Sequence, residues 1–248
     1  MSELTGKVAI VTGASKGIGA AIAQAFAAAG AAVAVNYRSG KADAERVVGE
    51  IEKAGGHAAA IQGDVAKRAD VARIFAETQQ RLGRPSILVN NAGVYNFGPI
   101  EGVTEEDFHR QFDTNVLGAI FAIQEAVKAF DAAGGSIINV STIASVNPVP
   151  NSTVYAASKS AIDAITRAAA GELAGRNIRV NAIAPGMVET EGFAAAGLSE
   201  DSAKALGVGM PMGRIGRPDD IARVALFLAS DQAGWVTGER ISVSGGQR

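Results

Sequence analysis

The chain has 248 residues, of which 48% are hydrophobic and 19% are charged, so it is long enough to fill the core of one large domain. Its formal net charge of −2 provides no basic excess of the kind that binds nucleic acid or an anionic membrane surface. It has no cysteine, which excludes disulfides, thiolate catalysis and cysteine-ligated metals, and which suits a cytoplasmic protein.

Short β-branched runs alternate along the chain with longer, alanine-rich segments that are typical of helices. The runs predict seven strands, at 8–11, 33–35, 58–61, 87–89, 137–140, 178–183 and 241–243. The segments predict helices at 18–29, 42–54, 70–82 and 104–130, and another after the fifth strand. Strands that are apolar throughout are buried on both faces, as in parallel sheets. The alternation therefore predicts one α/β domain over 1–248: a doubly wound, seven-stranded parallel sheet with helices on both faces.

Two local patterns refine this prediction. Thr104 stands before an acidic stretch, which is typical of an N-cap followed by the first turn of a helix. Residues 187–212 interrupt the alternation, and we expect them to form a substrate lid. The residues that interrupt it are Gly192, Gly197, Gly207, Gly209 and Pro211.

A glycine-rich turn, TGASKGIG, follows the first strand at residues 12–19. Its glycines suit a tight turn, a close approach of the backbone to a pyrophosphate, and close packing of the next helix on the sheet. The spacing GxxxGxG differs from the GxGxxG fingerprint, and a glycine-rich turn can also be a simple connection. Because a strand precedes it and a helix follows, we expect it to bind a dinucleotide. The residues expected to do so are Gly13, Ser15, Lys16, Gly17, Ile18 and Gly19.

The end of the second strand bears on the choice between NAD and NADP. A free ribose 2′-hydroxyl favours an acidic residue there, whereas a 2′-phosphate favours arginine. The chain has Asn36, Tyr37 and Arg38 at this point, and Lys16 adds a positive charge in the glycine turn. These charges favour NADP(H); the alternative is that Arg38 is a solvated surface charge.

Tyr155 and Lys159 lie four residues apart in YAASK, so they share one face of a predicted helix. A nearby ammonium favours the phenolate and lowers the pKa of a tyrosine. A phenol tuned in this way can pass a proton to or from a substrate oxygen. The spacing alone is common by chance, and by itself it fits a surface pair equally well.

The motifs in their order resemble those of the short-chain dehydrogenase/reductase family, over essentially the whole chain. They are TGASKGIG at 12–19, DV at 64–65, NNAG at 90–93, TNVLG at 114–118, YAASK at 155–159 and APG at 184–186. The resemblance implies a Rossmann fold, a nicotinamide cofactor, a small carbonyl or alcohol substrate and a homo-oligomer, expected to be a tetramer.

The resemblance also implies a role for each matching residue. Tyr155 would be the catalytic acid/base, Lys159 would tune it and hold the ribose, and Asn115 would order a water relay that returns the proton. Thr190 would contact the nicotinamide amide, and Asp64 would meet the adenine. The other cofactor-binding residues that it implies are Val65, Asn91, Ala92, Gly93, Pro185, Gly186 and Val188.

Position 142 departs from the family's pattern. The family usually has a serine 13 residues before the tyrosine, to hold the substrate oxygen, and this chain has Thr142. Threonine keeps the hydroxyl but adds a methyl group and a stiffer χ1. We expect Thr142 and Tyr155 to polarise the oxygen together. Ser141 is expected to point away, and Ser145 misses the spacing.

The expected activity is NADPH-dependent reduction of a free carbonyl compound, and within the family the chain most resembles ketoreductases and enzymes of the glucose 1-dehydrogenase type. Tyr95 and Phe97 suggest a partly aromatic pocket wall; the alternative is that they are core residues. A 3-oxoacyl-[acyl-carrier-protein] reductase is the close alternative. Such enzymes often carry basic residues before the fifth strand, where this chain has FDAAGGS, although Arg176 is placed to dock a carrier. A further alternative is a non-catalytic NADP-binding protein in which Thr142 impairs the site. No cluster has metal-ligand spacing, so no metal is expected.

Overall fold

The strands of the protein form one parallel sheet in the computed structural model, which describes residues 3–191 and 208–247. Within those residues the sheet has seven strands, in the order β3-β2-β1-β4-β5-β6-β7. They are β1 Val8–Val11, β2 Ala32–Tyr37, β3 His57–Gln62, β4 Ile87–Asn90, β5 Gly135–Val140, β6 Ile178–Pro185 and β7 Arg240–Val243. The doubly wound parallel sheet is therefore confirmed, and each strand contains its predicted run.

Helices connect successive strands across both faces of the sheet. Those that the argument below needs are α1 Gly17–Ala28, α2 Lys41–Lys53, α3 Arg68–Leu82, α4 Glu105–Phe112, α5 Gly118–Ala129, α6 Thr153–Leu173 and α7 Pro218–Ala229. The side chain of Thr104 accepts a hydrogen bond from the Asp107 amide at 3.1 Å, which confirms the predicted N-cap of α4. Helix α7, which begins at a proline, was not predicted.

The predicted helix over 104–130 is confirmed as a continuous helical segment over 105–129, but one part of it is π-helical, which the sequence did not predict. A π-helical turn, Asp113–Leu117, separates α4 from α5 and carries Asn115. Its residues continue the apolar spacing of the flanking helices, so the sequence pattern does not show this turn. Single π-helical turns occur often at functional sites, where they change the direction of a side chain or free a carbonyl from the regular hydrogen bonding of the α-helix.

Two apolar cores cover the two faces of the sheet. Ala9 and Val11 of β1 pack with α1, α2 and α7 on one face, whereas Ile10 packs with α3, α5 and α6 on the other. This alternation follows from the period of two in a strand. The strand order reverses between β1 and β4, so the crossovers diverge there and leave a crevice at the carboxyl ends of the strands.

The predicted lid at 187–212 lies largely outside the described residues, and so do Gly192, Gly197 and Gly207 within it. At its start, Val188 pairs with Gly216 in an isolated parallel bridge. In the described part of the chain, no helix is long and apolar enough to cross a bilayer. Residues 3–191 and 208–247 also contain no group of three or more His, Asp or Glu side chains placed to hold a metal ion.

Candidate active site

The three glycines of the turn after β1 are there for two different geometric reasons. Gly13 and Gly17 have φ angles of +61° and +58°, in the left-handed region that residues with a side chain rarely adopt. Gly19 has no such angle, but a Cβ placed on it would lie 2.4 Å from Asn91 Nδ2 and 2.6 Å from the Gly13 carbonyl oxygen. The first two glycines therefore shape the turn, and the third allows α1 to pack against the loop after β4.

The amino end of α1 already binds an anionic oxygen. The Gly17 amide donates a hydrogen bond to the carboxylate of Glu191, at 2.9 Å. Free amides and the helix dipole make such a helix end favourable for negative charge. A pyrophosphate oxygen would find the same donor there, so the turn fits the phosphate part of a dinucleotide.

A cleft of about 570 Å³ runs from this turn along the carboxyl ends of β2 and β4. Its volume lies in the range of ordinary cofactor sites. Most of the residues predicted to bind the cofactor line it: Gly13, Ser15, Lys16, Gly17, Ile18, Gly19, Asn36, Tyr37, Arg38, Asp64, Val65, Asn91, Ala92, Gly93 and Thr190. The crevice expected from the strand order and the predicted binding residues therefore coincide.

Asn36 shapes the cleft through the protein's own contacts. It is 1% exposed, its Oδ1 accepts from the Gly13 amide at 3.3 Å, and its Nδ2 donates to the carbonyls of Ile61 and Gly63 at 3.2 and 3.1 Å. Its side chain is thus engaged in holding the glycine turn to β2 and β3. Arg38, two residues further, is exposed and free to meet a phosphate. Asp43 of α2 also lines the cleft, although it lies beyond the strand end from which the cofactor preference was predicted.

The loop after β4 is tied to the glycine turn through Thr12 and Asn91. The Thr12 hydroxyl accepts from the amides of Asn91 and Ala92, both at 3.0 Å. Asn91 Nδ2 donates to the carbonyls of Thr12 and Gly13, at 2.9 and 3.0 Å. All four bonds hold the two walls of the cleft together, and the two from Nδ2 explain why an asparagine stands at this position of NNAG.

Asp64 and Thr190 line the cleft from the segments after β3 and β6, whereas Tyr155 and Lys159 of α6, which were also predicted to bind the cofactor, do not line it. Asp64 is partly buried and accepts from the Ala66 amide through Oδ1 at 3.1 Å. Thr190 lies beside Gly17, whose added Cβ would be 3.4 Å from the threonine methyl. Pro185 ends β6, and Gly186 and Val188 follow it; none of these three lines the cleft.

Asn115 holds the loop after β4 against α6. Its Oδ1 accepts from the Val94 amide and its Nδ2 donates to the Val94 carbonyl, both at 2.8 Å, and Nδ2 also reaches Ser158 Oγ at 3.0 Å. A cavity of about 10 Å³ lies beside it, lined also by Lys159 and Thr114. Such a space with polar walls fits one water molecule.

Tyr155 and Thr142 meet at the end of β5. The Thr142 hydroxyl lies beside the Tyr155 phenol and affects its pKa, and it accepts a hydrogen bond from the Ala144 amide at 3.3 Å. Burial raises the pKa of Tyr155, the Thr142 hydroxyl works against that rise, and the neighbouring Tyr95 adds to it. The phenol is therefore protonated at neutral pH and lies beside a second hydroxyl.

The predicted lowering of the Tyr155 pKa by Lys159 stays a prediction, because Lys159 is not among the groups that shift this pKa here. Burial dominates the titration of the phenol, and Lys159 Nζ is directed to the Val140 carbonyl, at 2.7 Å. Lys159 is itself 5% exposed, and burial lowers its pKa from 10.5 to about 8, although the nearby Asp163 opposes that shift. Its protonated form is therefore less stable than that of an exposed lysine, and the side chain loses its charge in the mildly alkaline range.

An aromatic wall surrounds the phenol. The rings of Tyr95 and Phe97 lie 6.0 and 5.8 Å from that of Tyr155, both in edge-on arrangements. Tyr95 and Phe97 are 53% and 52% exposed, so they are not core residues. The sequence left open whether these two residues form a pocket wall or core, and the structure favours the wall.

The two serines near Thr142 face other partners. Ser141 is buried and its hydroxyl donates to the Lys159 carbonyl at 3.4 Å, so it points away as predicted. The Ser145 hydroxyl bonds Asp163, which in turn pairs with Arg240. Sequence reasoning missed both of these charged residues. The spacing of Asp163, four residues after Lys159 on one helix, could have revealed it, but nothing local points to Arg240.

Comparison with known proteins agrees with this geometry. A family model described as enoyl-(acyl carrier protein) reductase matches residues 13–248. The chain is 53% identical to an uncharacterized oxidoreductase of Methylorubrum extorquens, over 100% of both chains. It is 41% identical to a hydroxynaphthalene reductase-like protein of Metarhizium majus, over 98% of this chain and 96% of the other.

A solved structure extends the likeness to three dimensions. The short-chain dehydrogenase/reductase of Serratia marcescens superposes with a TM-score of 0.91 at 37% identity, covering 98% of each chain. Relatives of this identity and coverage share both fold and family. The chain therefore belongs to the short-chain dehydrogenase/reductase family of oxidoreductases.

Proposed function

We propose that the protein is an NADP(H)-dependent reductase of small, free carbonyl compounds, which can also run in the direction of alcohol oxidation. The observation that carries this proposal is that the Thr142 hydroxyl lies beside the Tyr155 phenol and opposes the rise in its pKa. Two hydroxyl groups side by side, next to the Tyr95 ring that lines the cleft, can both turn to one substrate oxygen. The position of Thr142 beside Tyr155 also supports the proposal that Thr142 takes the role that serine has in the family pattern.

Each residue has a defined task in this proposal. When bound, the nicotinamide cofactor supplies the hydride. Tyr155 gives its proton to the substrate oxygen, and Thr142 donates a second hydrogen bond to that oxygen. A raised pKa suits Tyr155 as the acid, because the phenol carries its proton at neutral pH. Lys159, Asn115 and the water-sized cavity between them would return the proton from solvent.

The preference for NADP(H) is supported by charge at the cleft. Lys16 and Arg38 are exposed and both line it, where they would attract a 2′-phosphate. We expect Arg38→Leu to weaken NADPH binding about tenfold, equivalent to ~1.4 kcal/mol, and to leave NADH binding unchanged. Arg46→Leu is the matched control, because Arg46 is paired with Glu50 outside this cleft. Equal losses for NADPH and NADH would contradict the proposed role of Arg38.

The aromatic wall suggests the substrate class. Tyr95 and Phe97 offer exposed ring surface next to the proton donor, on which a flat, aromatic ketone could pack. A relative whose name refers to hydroxynaphthalene points in the same direction. We therefore propose aromatic and cyclic ketones as the preferred compounds, ahead of short aliphatic ones.

A reductase of carrier-bound acyl groups is the second candidate, favoured by the description of the matching family model. Such an enzyme must dock an acidic carrier protein. Arg176, the candidate docking residue, uses one guanidinium nitrogen to bond the Val127 carbonyl at 2.6 Å. This contact braces α5, and the segment before β5 has no basic residue to assist it. We therefore rank the free substrate first.

The test follows NADPH oxidation with a panel of free ketones, aldehydes and keto-sugars. It also compares one 3-oxoacyl group as a free compound and as a carrier-protein thioester. NADH is run in parallel, and Thr142→Ser beside the wild type. Faster turnover of free aromatic ketones with NADPH would support the proposal. Faster turnover of the thioester would favour the carrier-bound alternative. No turnover by the wild type, but tight NADPH binding and activity in Thr142→Ser, would identify a non-catalytic protein.

A cytoplasmic location and a homotetramer complete the proposal. The surface feature that supports an oligomer is Trp235, which is fully exposed in the single chain. An indole in that position would be covered by a second copy in an oligomer. Light scattering of the wild type beside Trp235→Asp tests this: a tetramer for the wild type and a smaller species for the variant are expected, and two identical masses would contradict it.

A further inference from the structure

An ion pair joins β7 to α6 next to the proposed active site. Arg240 Nε lies 3.0 Å from Asp163 Oδ2, and the two side chains are 19% and 5% exposed. Taking two charges out of water is costly, so a pair of this kind is weak evidence for stability. The ion pair is therefore more important for the groups that it holds in place than for the stability of the fold.

Arg240 holds the main chain of Thr142. Its Nη2 donates to the Thr142 carbonyl at 2.9 Å, while its Nε lies 3.2 Å from Ser145 Oγ. The same carbonyl lies within hydrogen-bond distance of the Ser145 amide and hydroxyl, at 3.2 and 2.8 Å. The main chain of Thr142 is therefore fixed from two directions, by its own turn and by a strand from the far end of the chain.

Asp163 ties this arrangement to the helix of the proposed acid. It follows Lys159 by four residues and Tyr155 by eight, so the three side chains share one face of α6. Asp163 Oδ2 bonds both Arg240 and the Ser145 hydroxyl. The ion pair thus links the helix that carries Tyr155 and Lys159 to the turn that carries Thr142.

We propose that Arg240 and Asp163 are positioning residues, which keep the Thr142 hydroxyl aligned with the Tyr155 phenol. This inference rests on the proposed reductase function. The planar fork of arginine reaches the carboxylate and the carbonyl together, whereas a lysine ammonium keeps the charge balance but not both bonds. A small displacement of one hydroxyl is enough to slow a reaction that needs two donors on one oxygen.

Arg240→Lys tests the proposal, with Arg179→Lys as the matched control. Arg179, on the neighbouring strand β6, also forks to two carbonyls, those of Leu228 and Ser230 at 2.8 and 3.1 Å, which no part of the proposed site uses. We expect Arg240→Lys to lower kcat by about tenfold to a hundredfold without changing the Kd for NADPH. We expect Arg179→Lys to leave kcat unchanged. Equal loss of kcat in the two variants would overturn the proposal.

A double-mutant cycle asks whether Arg240 acts through Thr142. In a Thr142→Val background, which lacks the hydroxyl, Arg240→Lys is expected to cause no further loss of kcat. A purely structural role would lower kcat by the same factor in both backgrounds, and that result would also overturn the proposal. Ser145→Ala, which leaves the ion pair intact, should lower kcat less than Arg240→Lys does.

Hydrogen exchange gives a reading that does not depend on turnover, and the amides of β5 reveal any general loss of stability. The Ser145 amide bonds the Thr142 carbonyl, so it should exchange faster in Arg240→Lys than in the wild type, while amides of β5 should not. Unchanged exchange at Ser145 would show that Arg240 does not fix this turn. If the wild type reduces no carbonyl compound, the proposed function fails, and this exchange measurement still decides whether Arg240 positions Thr142.

Discussion

Gly19→Ala is the substitution for which the structure makes the sharpest prediction. Alanine is normally the better helix former by up to about 1 kcal/mol, and Gly19 lies in α1 with no unusual φ angle. Helix propensity alone would therefore make the variant more stable. The structure predicts the opposite, because the added Cβ would lie 2.4 Å from Asn91 Nδ2 and 2.6 Å from the Gly13 carbonyl oxygen.

The size of the effect follows from what has to move. Asn91 Nδ2 donates to the carbonyls of Thr12 and Gly13, and each of these bonds is worth ~0.5–1.5 kcal/mol. The Gly13 carbonyl is backbone and cannot turn aside, so overpacking adds ~1–3 kcal/mol. After the gain in helix propensity, we expect a net loss of about 2–4 kcal/mol in the free energy of unfolding, together with weaker NADPH binding.

Urea unfolding of Gly19→Ala beside Gly49→Ala measures this directly. Gly49 also lies inside a helix, α2, but a Cβ there would meet nothing within 4 Å. Gly49→Ala should therefore be more stable than the wild type by up to about 1 kcal/mol, with unchanged NADPH binding. A Gly19→Ala protein as stable as Gly49→Ala, with wild-type affinity for NADPH, would refute the packing argument.

Three further predictions concern single side chains. Asn36→Ala leaves the partly buried Gly13 amide without its acceptor and removes two donors, so urea unfolding should show a loss of about 2–4 kcal/mol. Burial lowers the pKa of Lys159 from 10.5 to about 8, so between those pH values the folded protein binds fewer protons than the unfolded one. The free energy of unfolding should therefore rise by ~3 kcal/mol across that window, and a Lys159→Met protein that rises equally would contradict this. Thr104→Ala leaves the Asp107 amide uncapped and should cost about 1 kcal/mol, whereas Thr104→Ser should cost much less.

The sheet was predictable because its strands are short, apolar throughout and separated by clear helical segments. Parallel strands with helical crossovers admit few arrangements, and each predicted run lies within an observed strand. The change to π-helix between α4 and α5 was not predictable in the same way. The π-helical turn around Asn115 depends on bonds to Val94, which a local apolar pattern does not encode.

The candidate site was predictable where a motif fixes both residue type and spacing. Tyr155, Thr142 and the glycine turn are of this kind, and the structure brings the first two into contact. The roles of individual groups were harder to predict, because they depend on burial. Asn36 is engaged by the protein itself, and the contact between Arg240 and Thr142 joins residues 98 positions apart.

The central claim is that Tyr155 is the proton donor of a carbonyl reductase. The most direct measurement is NADPH-dependent reduction of an aromatic ketone by the wild type and by Tyr155→Phe, with the Kd for NADPH measured on both. The phenylalanine keeps the ring and its contacts with Tyr95 and Phe97, and it removes only the hydroxyl. We predict turnover by the wild type, a fall in kcat of about 10²–10⁴-fold in the variant, and little change in the Kd for NADPH. Equal turnover by the two proteins would contradict the account.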